Sequence, residues 1–232
     1  MLGIKTGLKK LFRLSVKKLL RGKLSNDLIV RELMESFRAD EMGHQAKTSG
    51  ADLGYGWIHY SFVRTIKPQN ILCIGSRHGY IPAVLAQACK DNKKGHVDFV
   101  DPGYGPENKN HWTGVGYWKT KSGKRSFKKF GLEEFITLYV MTSAEFAEKR
   151  KKLAYEYIYI DGDHSYQGVK YDYEVFWPML KNRGFMVFHD IFVKGMMSEG
   201  KYGTNELWTE ISGKNAIDLH LKGSGLGIVQ KV

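Results

Sequence analysis

The chain has 232 residues, 42% of them apolar and 26% charged, with a net charge of +12. That length holds one large domain, or one domain with an extension, and enough apolar side chains to fill a core. No apolar run is long enough to cross a bilayer, and the two cysteines, Cys73 and Cys89, fall in apolar elements rather than a disulfide framework, so a reducing cytoplasm is the expected setting.

The charge is unevenly placed. Residues 1–24 carry eight Lys and Arg and no Asp or Glu, which leaves +4 for the other 208 residues. On a helical wheel Ile4, Leu8, Leu11, Phe12, Ser15 and Leu19 form one stripe, and Lys9, Lys10, Arg13, Lys17 and Arg21 lie opposite. Leu14, Val16 and Leu20 fall off the stripe. Residues 1–24 therefore read as a basic amphipathic helix, set apart from a body spanning 25–232. Such a helix suits an anionic membrane surface, which would place the protein peripherally on the inner face of the membrane. An arm packed on its own domain and a cleaved organelle presequence are the other readings.

Residues 25–60 read as helices that cover the sheet edge. Pro68 precedes a first strand, Asn70–Ile74, and Ile81–Cys89 reads as a helix ending near Asp91. Val97–Asp101 is a second strand. Residues 102–130, with many Gly, aromatic and Lys residues, read as a long irregular excursion of the kind that is usually functional. Phe135–Met141 is a third strand, Ala144–Lys152 a short helix and Tyr155–Ile160 a fourth strand. A helix over Tyr166–Leu180, a strand over Phe185–His189 and a helix over Glu206–Ile211 follow. Short strands near Ile217–Leu221 and Leu226–Val229 form a closing antiparallel hairpin. Strands alternating with helices imply an α/β fold: a Rossmann-like, doubly wound, seven-stranded sheet, mostly parallel, with N-terminal helices added.

Ligands of such sheets bind beyond the carboxyl ends of the strands. Those ends carry Gly75-Ser-Arg-His-Gly79, Asp101, Thr142-Ser143, Asp161-Gly-Asp-His164 and His189-Asp190. The glycines permit a sharp turn and close approach of a ligand, and the following helix start offers free N–H groups. Asp101, 22 residues after Gly79, can accept both hydroxyls of a ribose. Gly75 and Gly79 do not make the Gly-x-Gly-x-x-Gly spacing of a dehydrogenase.

In order and in motif, Ile71–Tyr80, Val97–Pro102, Tyr157–Tyr166 and Phe185–Asp190 resemble the class I S-adenosylmethionine-dependent methyltransferases. Ile-Asp-Gly-Asp-His-Ser-Tyr followed by Val-Phe-His-Asp is most similar to the branch of macrocin-type and cephalosporin-type O-methyltransferases. The resemblance implies that Gly75, Ser76 and Gly79, with Arg77 and Tyr80 beside them, surround the methionine end of S-adenosylmethionine. It implies that Asp101 holds the ribose, that Ser143 lies beside the adenine, and that Asp161 forms the pocket floor facing the acceptor. Tyr55 and Trp57 would close the pocket. Two positions depart from the pattern: Cys73 stands where many relatives have an acidic residue, and Arg77 where they have glycine. Arg77 either pairs with the methionine carboxylate or points to solvent.

Methyl transfer to an aliphatic hydroxyl needs alignment and removal of the acceptor proton. His164 is the base expected from its near-neutral titration, and His189 is expected in a structural hydrogen-bonding role. By resemblance Asp161 and Asp190 would hold magnesium, with Asp163 a third ligand or catalytic group if its loop turns inward. The aromatic run His111–Trp118 would offer a flat acceptor its platform, and the lysines from 119 to 129 read as a solvated face or an anion contact. The implied activity is O-methylation of a sugar hydroxyl on a small molecule, glycan or glycolipid; a homo-oligomer is compatible with the sequence. The alternatives are a membrane-associated binding protein that keeps only the fold, and a nucleic-acid methyltransferase. The latter is disfavoured because Asp161-Gly-Asp-His164 replaces the Asn/Asp-Pro-Pro-aromatic motif.

Overall fold

The computed structural model describes residues 27–39, 44, 46–104, 116–150, 153–197, 200–220 and 223–232. The expected amphipathic helix 1–24 and residues 111–115 of the aromatic run lie outside them. In chain order the elements are α1 (Asp27–Ser36), α2 (Tyr55–Ile66), β1 (Asn70–Ile74), α3 (Tyr80–Asn92), β2 (His96–Val100), α4 (Lys121–Arg125), β3 (Ile136–Tyr139), α5 (Ser143–Lys149) and β4 (Tyr155–Ile160). They continue with α6 (Tyr166–Phe176), β5 (Leu180–His189), β6 (Gly195–Met197), β7 (Gly200–Tyr202), α7 (Thr204–Ile211), β8 (Ala216–Leu219) and β9 (Leu226–Gln230). No helix among the described residues is long and apolar enough to cross a membrane.

Seven strands form one sheet in the order β3-β2-β1-β4-β5-β9-β8. The first five run parallel, β9 is antiparallel to both of its neighbours, and β6 and β7 make a separate small hairpin. This is the expected mostly parallel sheet with an antiparallel end. The additional hairpin was not visible in the sequence because each of its strands has only three residues.

Both sheet faces are buried, and the side chains divide with the two-residue period of a strand. Ile71, Cys73, Tyr157, Tyr159 and Val187 face the core shared with α1, α2 and α3. Leu72, Ile74, Ile158, Ile160, Met186 and Phe188 face the core shared with α5, α6 and α7. The N-terminal helices thus cover a face of the sheet rather than its edge: the His59 ring of α2 lies 4.6 Å from Tyr159, and Phe62 lies 5.1 Å from Phe185.

The described part of the excursion after β2, residues 116–130, is more ordered than expected. Short 3-10 turns at Tyr117–Lys119 and Ser126–Phe130 flank α4. They put Trp118, Phe127 and Phe130 into the core, with Trp118 stacked on Phe127 at 5.6 Å and edge-on to Phe99 at 4.8 Å. Trp118 is therefore not an acceptor platform. Lys119, Lys121, Lys124, Lys128 and Lys129 are left on the exposed side.

Two polar caps start the helices that border the crevice. Thr142 Oγ1 accepts from Glu145 N while Glu145 Oε2 accepts from Thr142 N, a reciprocal box that starts α5 one residue earlier than expected. Ser165 Oγ accepts from Gly168 N and starts α6. That helix stops at Phe176, and Leu180, expected in the helix, already pairs with Tyr155 of β4.

Candidate active site

The strand ends converge as the parallel order requires. Gly75 N donates to Val100 O and Asp161 N to Ile74 O, so the turns after β1, β2 and β4 are laced together by main chain. Gly75 has φ +75°, and a Cβ on it would stand 2.1 Å from the Asp161 carbonyl oxygen. Only glycine allows this approach. Gly79, at φ +88°, caps α3 with no room for a side chain above Trp118, whose Cη2 would lie 2.5 Å from a Cβ.

Asp101 joins the same turn. Its Oδ2 accepts from Ser76 N at 3.1 Å and its Oδ1 from Gly103 N at 2.8 Å. Burial nevertheless pushes its carboxyl up to about 6, against these two hydrogen bonds. Ser76 is itself held at two points, because its Oγ accepts from the Gly79 main-chain N and its carbonyl accepts from Trp118 Nε1. Asp101 and Asp161 thus flank one turn, the arrangement expected of a nucleoside site. The glycine cradle and a partly desolvated carboxylate with lone pairs to spare fit the ribose and methionine portions of S-adenosylmethionine.

Behind Asp161 stands a cluster of two carboxylates and two imidazoles. His164 Nε2 lies 3.4 Å from Asp161 Oδ1 and 3.1 Å from Asp190 Oδ2. His189 Nδ1 lies 3.2 Å from Asp161 Oδ1 and 3.0 Å from Asp190 Oδ1. Tyr159 donates to Asp161 Oδ2 at 3.0 Å. Burial alone would lower both imidazoles, but the two carboxylates outweigh it and hold both above the usual histidine value. Burial likewise opposes ionisation of Asp161 and Asp190, and the adjacent imidazoles overcome it and keep both carboxyls low. Opposite charges therefore offset one another inside this cluster.

Asp161, His164 and Asp190 could each offer one ligand atom within 4.8 Å of the others. Magnesium favours oxygen throughout, whereas this set mixes an imidazole with two carboxylates, and His189 already places positive charge between the same oxygens. The donor set therefore does not fit the expected magnesium, and no chemical step is assigned to a metal here.

Other expected residues fall as follows. Asp163 is exposed, and its Oδ1 accepts from Ser165 N at 2.9 Å in the turn before α6. Its loop does not turn inward, so Asp163 is a turn former rather than a third ligand or catalytic group. Tyr80 is buried, and its hydroxyl donates to Leu53 O at 2.6 Å, so its side chain serves the core instead of the cofactor. Arg77 is half-buried on the turn, Trp57 half-buried on α2, and Ser143 opens α5. Tyr55 is buried with its ring edge-on to His189 at 6.2 Å.

Several residues of this site were not singled out from the sequence. Ser224, just before β9, lies 2.9 Å from His189 Nε2. Tyr202 of β7 stacks on His164 at 4.6 Å with only 7° between the planes. The His44 ring lies 4.6 Å from His189, and burial followed by the His189 charge pushes it down to about 3, so it is neutral. All three reach the site from remote parts of the chain, and no local motif marks them.

Residues 72–191, just over half of the chain, match a family model described as a methyltransferase domain. This chain belongs to that methyltransferase family. Its fold is that of solved methyltransferases. An O-methyltransferase from Bacillus cereus in complex with SAH aligns with a TM-score of 0.61 at 16% identity, covering 94% of this chain and 97% of that one. The O-methyltransferase TomG from Streptomyces achromogenes, involved in tomaymycin synthesis and solved with SAM, aligns with a TM-score of 0.59 at 12% identity, covering 88% and 89%. An uncharacterized protein of Sinorhizobium fredii, y4gI, is 24% identical over 161 residues, 69% of this chain. The match spans 17% of that curated relative's length.

Proposed function

We propose that this methyltransferase domain transfers a methyl group from S-adenosylmethionine to a hydroxyl of a small acceptor, and that the acceptor is a sugar. The observation that carries O-methyl transfer is the buried Asp161–His164–Asp190–His189 ring set directly against the Gly75 turn. The bound cofactor supplies a methyl group on a sulfonium, which an oxygen displaces in line as the carbon–sulfur bond breaks. Asp101 accepts the ribose hydroxyls. The Gly75 and Gly79 backbone leaves room for the methionine end. Asp161 orients the acceptor hydroxyl, and His164 takes its proton when the ring is neutral, with Asp161 and Asp190 stabilising the imidazolium that results. Tyr202, stacked on His164, fixes the plane of that ring. A base that acts alone on one hydroxyl suits an isolated sugar alcohol, and the Asp-Gly-Asp-His and His-Asp motifs support the same acceptor class.

The test is calorimetric titration with S-adenosylmethionine, followed by methyl-transfer assays on panels of sugar and phenolic acceptors. The expected result is saturable cofactor binding and turnover on sugar hydroxyls that Asp161→Asn abolishes while cofactor binding remains. A folded protein that binds no cofactor would overturn the reading.

A further inference from the structure

Outside residues 1–24 the chain carries +4, and residues 116–132 alone carry +6 with no Asp or Glu, so the rest of the body is −2. The fold makes that segment a one-sided surface. Trp118, Phe127 and Phe130 are buried on its inner side. Gly123 is pressed inward as well: a Cβ on it would stand 2.1 Å from the Tyr117 carbonyl oxygen, and its N–H donates to Thr120 Oγ1 at 3.0 Å. Lys119, Lys121, Lys124, Arg125, Lys128 and Lys129 are left on the exposed side. Among the described residues Lys121, Lys124, Arg125 and Lys128 take part in no ion pair, although Glu133 and Glu134 follow the segment directly.

The segment is also tied to the place where the basic N-terminal stretch joins the body. Lys129 Nζ donates to Ser36 Oγ at 2.7 Å, and Phe37 stacks on Phe127 at 5.5 Å. Ser36 ends α1, which begins at Asp27. Residues 1–24 therefore reach the body one helix length, about 15 Å, from the Ser36–Lys129 contact. The attachment point of one basic stretch thus lies beside the other.

We propose that the Lys119–Lys129 face is a docking surface for an anionic lipid bilayer, acting together with residues 1–24. Five of its six cations are lysine, a point charge that meets lipid phosphates without fixed geometry. Residues 1–24 add the apolar stripe of Ile4, Leu8, Leu11, Phe12 and Leu19, which a bilayer takes up and a nucleic acid has no use for. The face gives a base nothing to stack on, because Trp118, Phe127 and Phe130 point into the core. A polybasic face and a set of inserted apolar side chains are the two signals that stable peripheral anchoring requires. Because Trp118 also holds the Ser76 carbonyl, docking through this face brings the cofactor turn alongside the bilayer.

The experiment is co-sedimentation of the full chain with phosphatidylcholine vesicles, with and without phosphatidylserine, at low and high salt. Wild type is compared with a face variant carrying Lys121→Gln, Lys124→Gln, Arg125→Gln and Lys128→Gln. A charge-matched variant carries Lys67→Gln, Lys94→Gln, Lys149→Gln and Lys214→Gln, at exposed lysines elsewhere on the body. Thermal melting checks folding, and a Lys121→Glu, Lys128→Glu double variant gives the same readout should the face variant melt early. Wild type should bind only the phosphatidylserine vesicles and should leave them at high salt. The face variant should bind at least about tenfold more weakly, and the charge-matched variant within about twofold of wild type. Equal losses in the two variants would make net charge rather than this face the cause, and overturn the inference. Undiminished binding by the folded face variant, or no vesicle binding by wild type, overturns it as well. Face-dependent binding to a DNA duplex without vesicle binding overturns it in favour of a nucleic-acid partner.

Discussion

Trp118 Nε1 donates to the Ser76 carbonyl at 2.9 Å, so the excursion after β2 holds the turn that follows β1. The same indole lies under Gly79 and stacks on Phe127. One aromatic side chain therefore ties the fold of the 116–130 segment to the shape of the cofactor turn. Trp118→Phe keeps most of the ring packing and loses the hydrogen bond, and should cost about 1 kcal/mol of stability in denaturant unfolding, with weaker S-adenosylhomocysteine binding. Trp118→Ala should cost about 3–5 kcal/mol.

Gly79→Ala should be worse for binding than its small size implies. The position has φ +88°, and the added methyl would meet the Trp118 ring. Strain and displacement act together on the helix start that faces the ligand. Cofactor affinity should fall at least about tenfold, and thermal melting should drop by several degrees. Unchanged affinity would show that the turn can shift away from the indole at no cost to the ligand.

Asp101 should behave as a group kept for binding at some expense to the fold. Its carboxyl is raised by burial to about 6. A raised carboxyl contributes stability that is present below its unfolded value near 3.8 and is lost as pH rises through 6. Asp101→Asn removes the buried charge but sets an amide N–H against one of the two main-chain donors, Ser76 N or Gly103 N, so the two effects offset and stability at pH 7.5 should stay within about 1 kcal/mol of wild type, while tight cofactor binding should be abolished. Melting temperature and calorimetry measured on the same sample check both halves.

The Asp161–His164–Asp190–His189 ring should give stability an optimum in pH. The two carboxyls are held low, so their contribution is lost as pH falls below the ordinary carboxylate range. The two imidazoles are held high, so theirs is lost as pH rises through their raised values. The groups facing His189 are Asp161, Asp190, Ser224, Tyr55 and the neutral His44, with His164 close enough for the two imidazoles to interact. His189→Ala leaves two buried carboxylates with less compensation and should destabilise by about 3–5 kcal/mol. A flat melting profile between pH 4 and 9 in wild type would rule out this balance.

Chelation provides a separate check on the same ring. Because His189 supplies positive charge between the carboxylates, treatment with EDTA should leave the melting temperature and S-adenosylhomocysteine affinity unchanged, and added magnesium should shift neither. A rise in melting temperature with magnesium would show that the ion displaces His189.

The N-terminal segment carries its own prediction. Deleting residues 1–24 removes eight cations from a net charge of +12. It should abolish salt-sensitive co-sedimentation with anionic vesicles while leaving cofactor binding intact. Equal co-sedimentation of both forms would remove the membrane reading.

The alternation of strand and helix, the strand-end Gly75, Asp101, Asp161 and Asp190, and the antiparallel close were legible in the sequence. Each is local: strands declare themselves by apolar runs, turns by glycine, and candidate ligand positions by polar residues where those runs end. The outward turn of Asp163 and the burial of Tyr80 and Trp118 were not legible. Whether a polar side chain faces a crevice or a neighbouring amide depends on loop geometry, and whether an aromatic is platform or core depends on what packs above it. The meeting of His44, Tyr202 and Ser224 with His164 and His189 was decided by tertiary structure alone. These residues approach from three separate segments, and contact between distant segments leaves no periodic trace in the chain that encodes it.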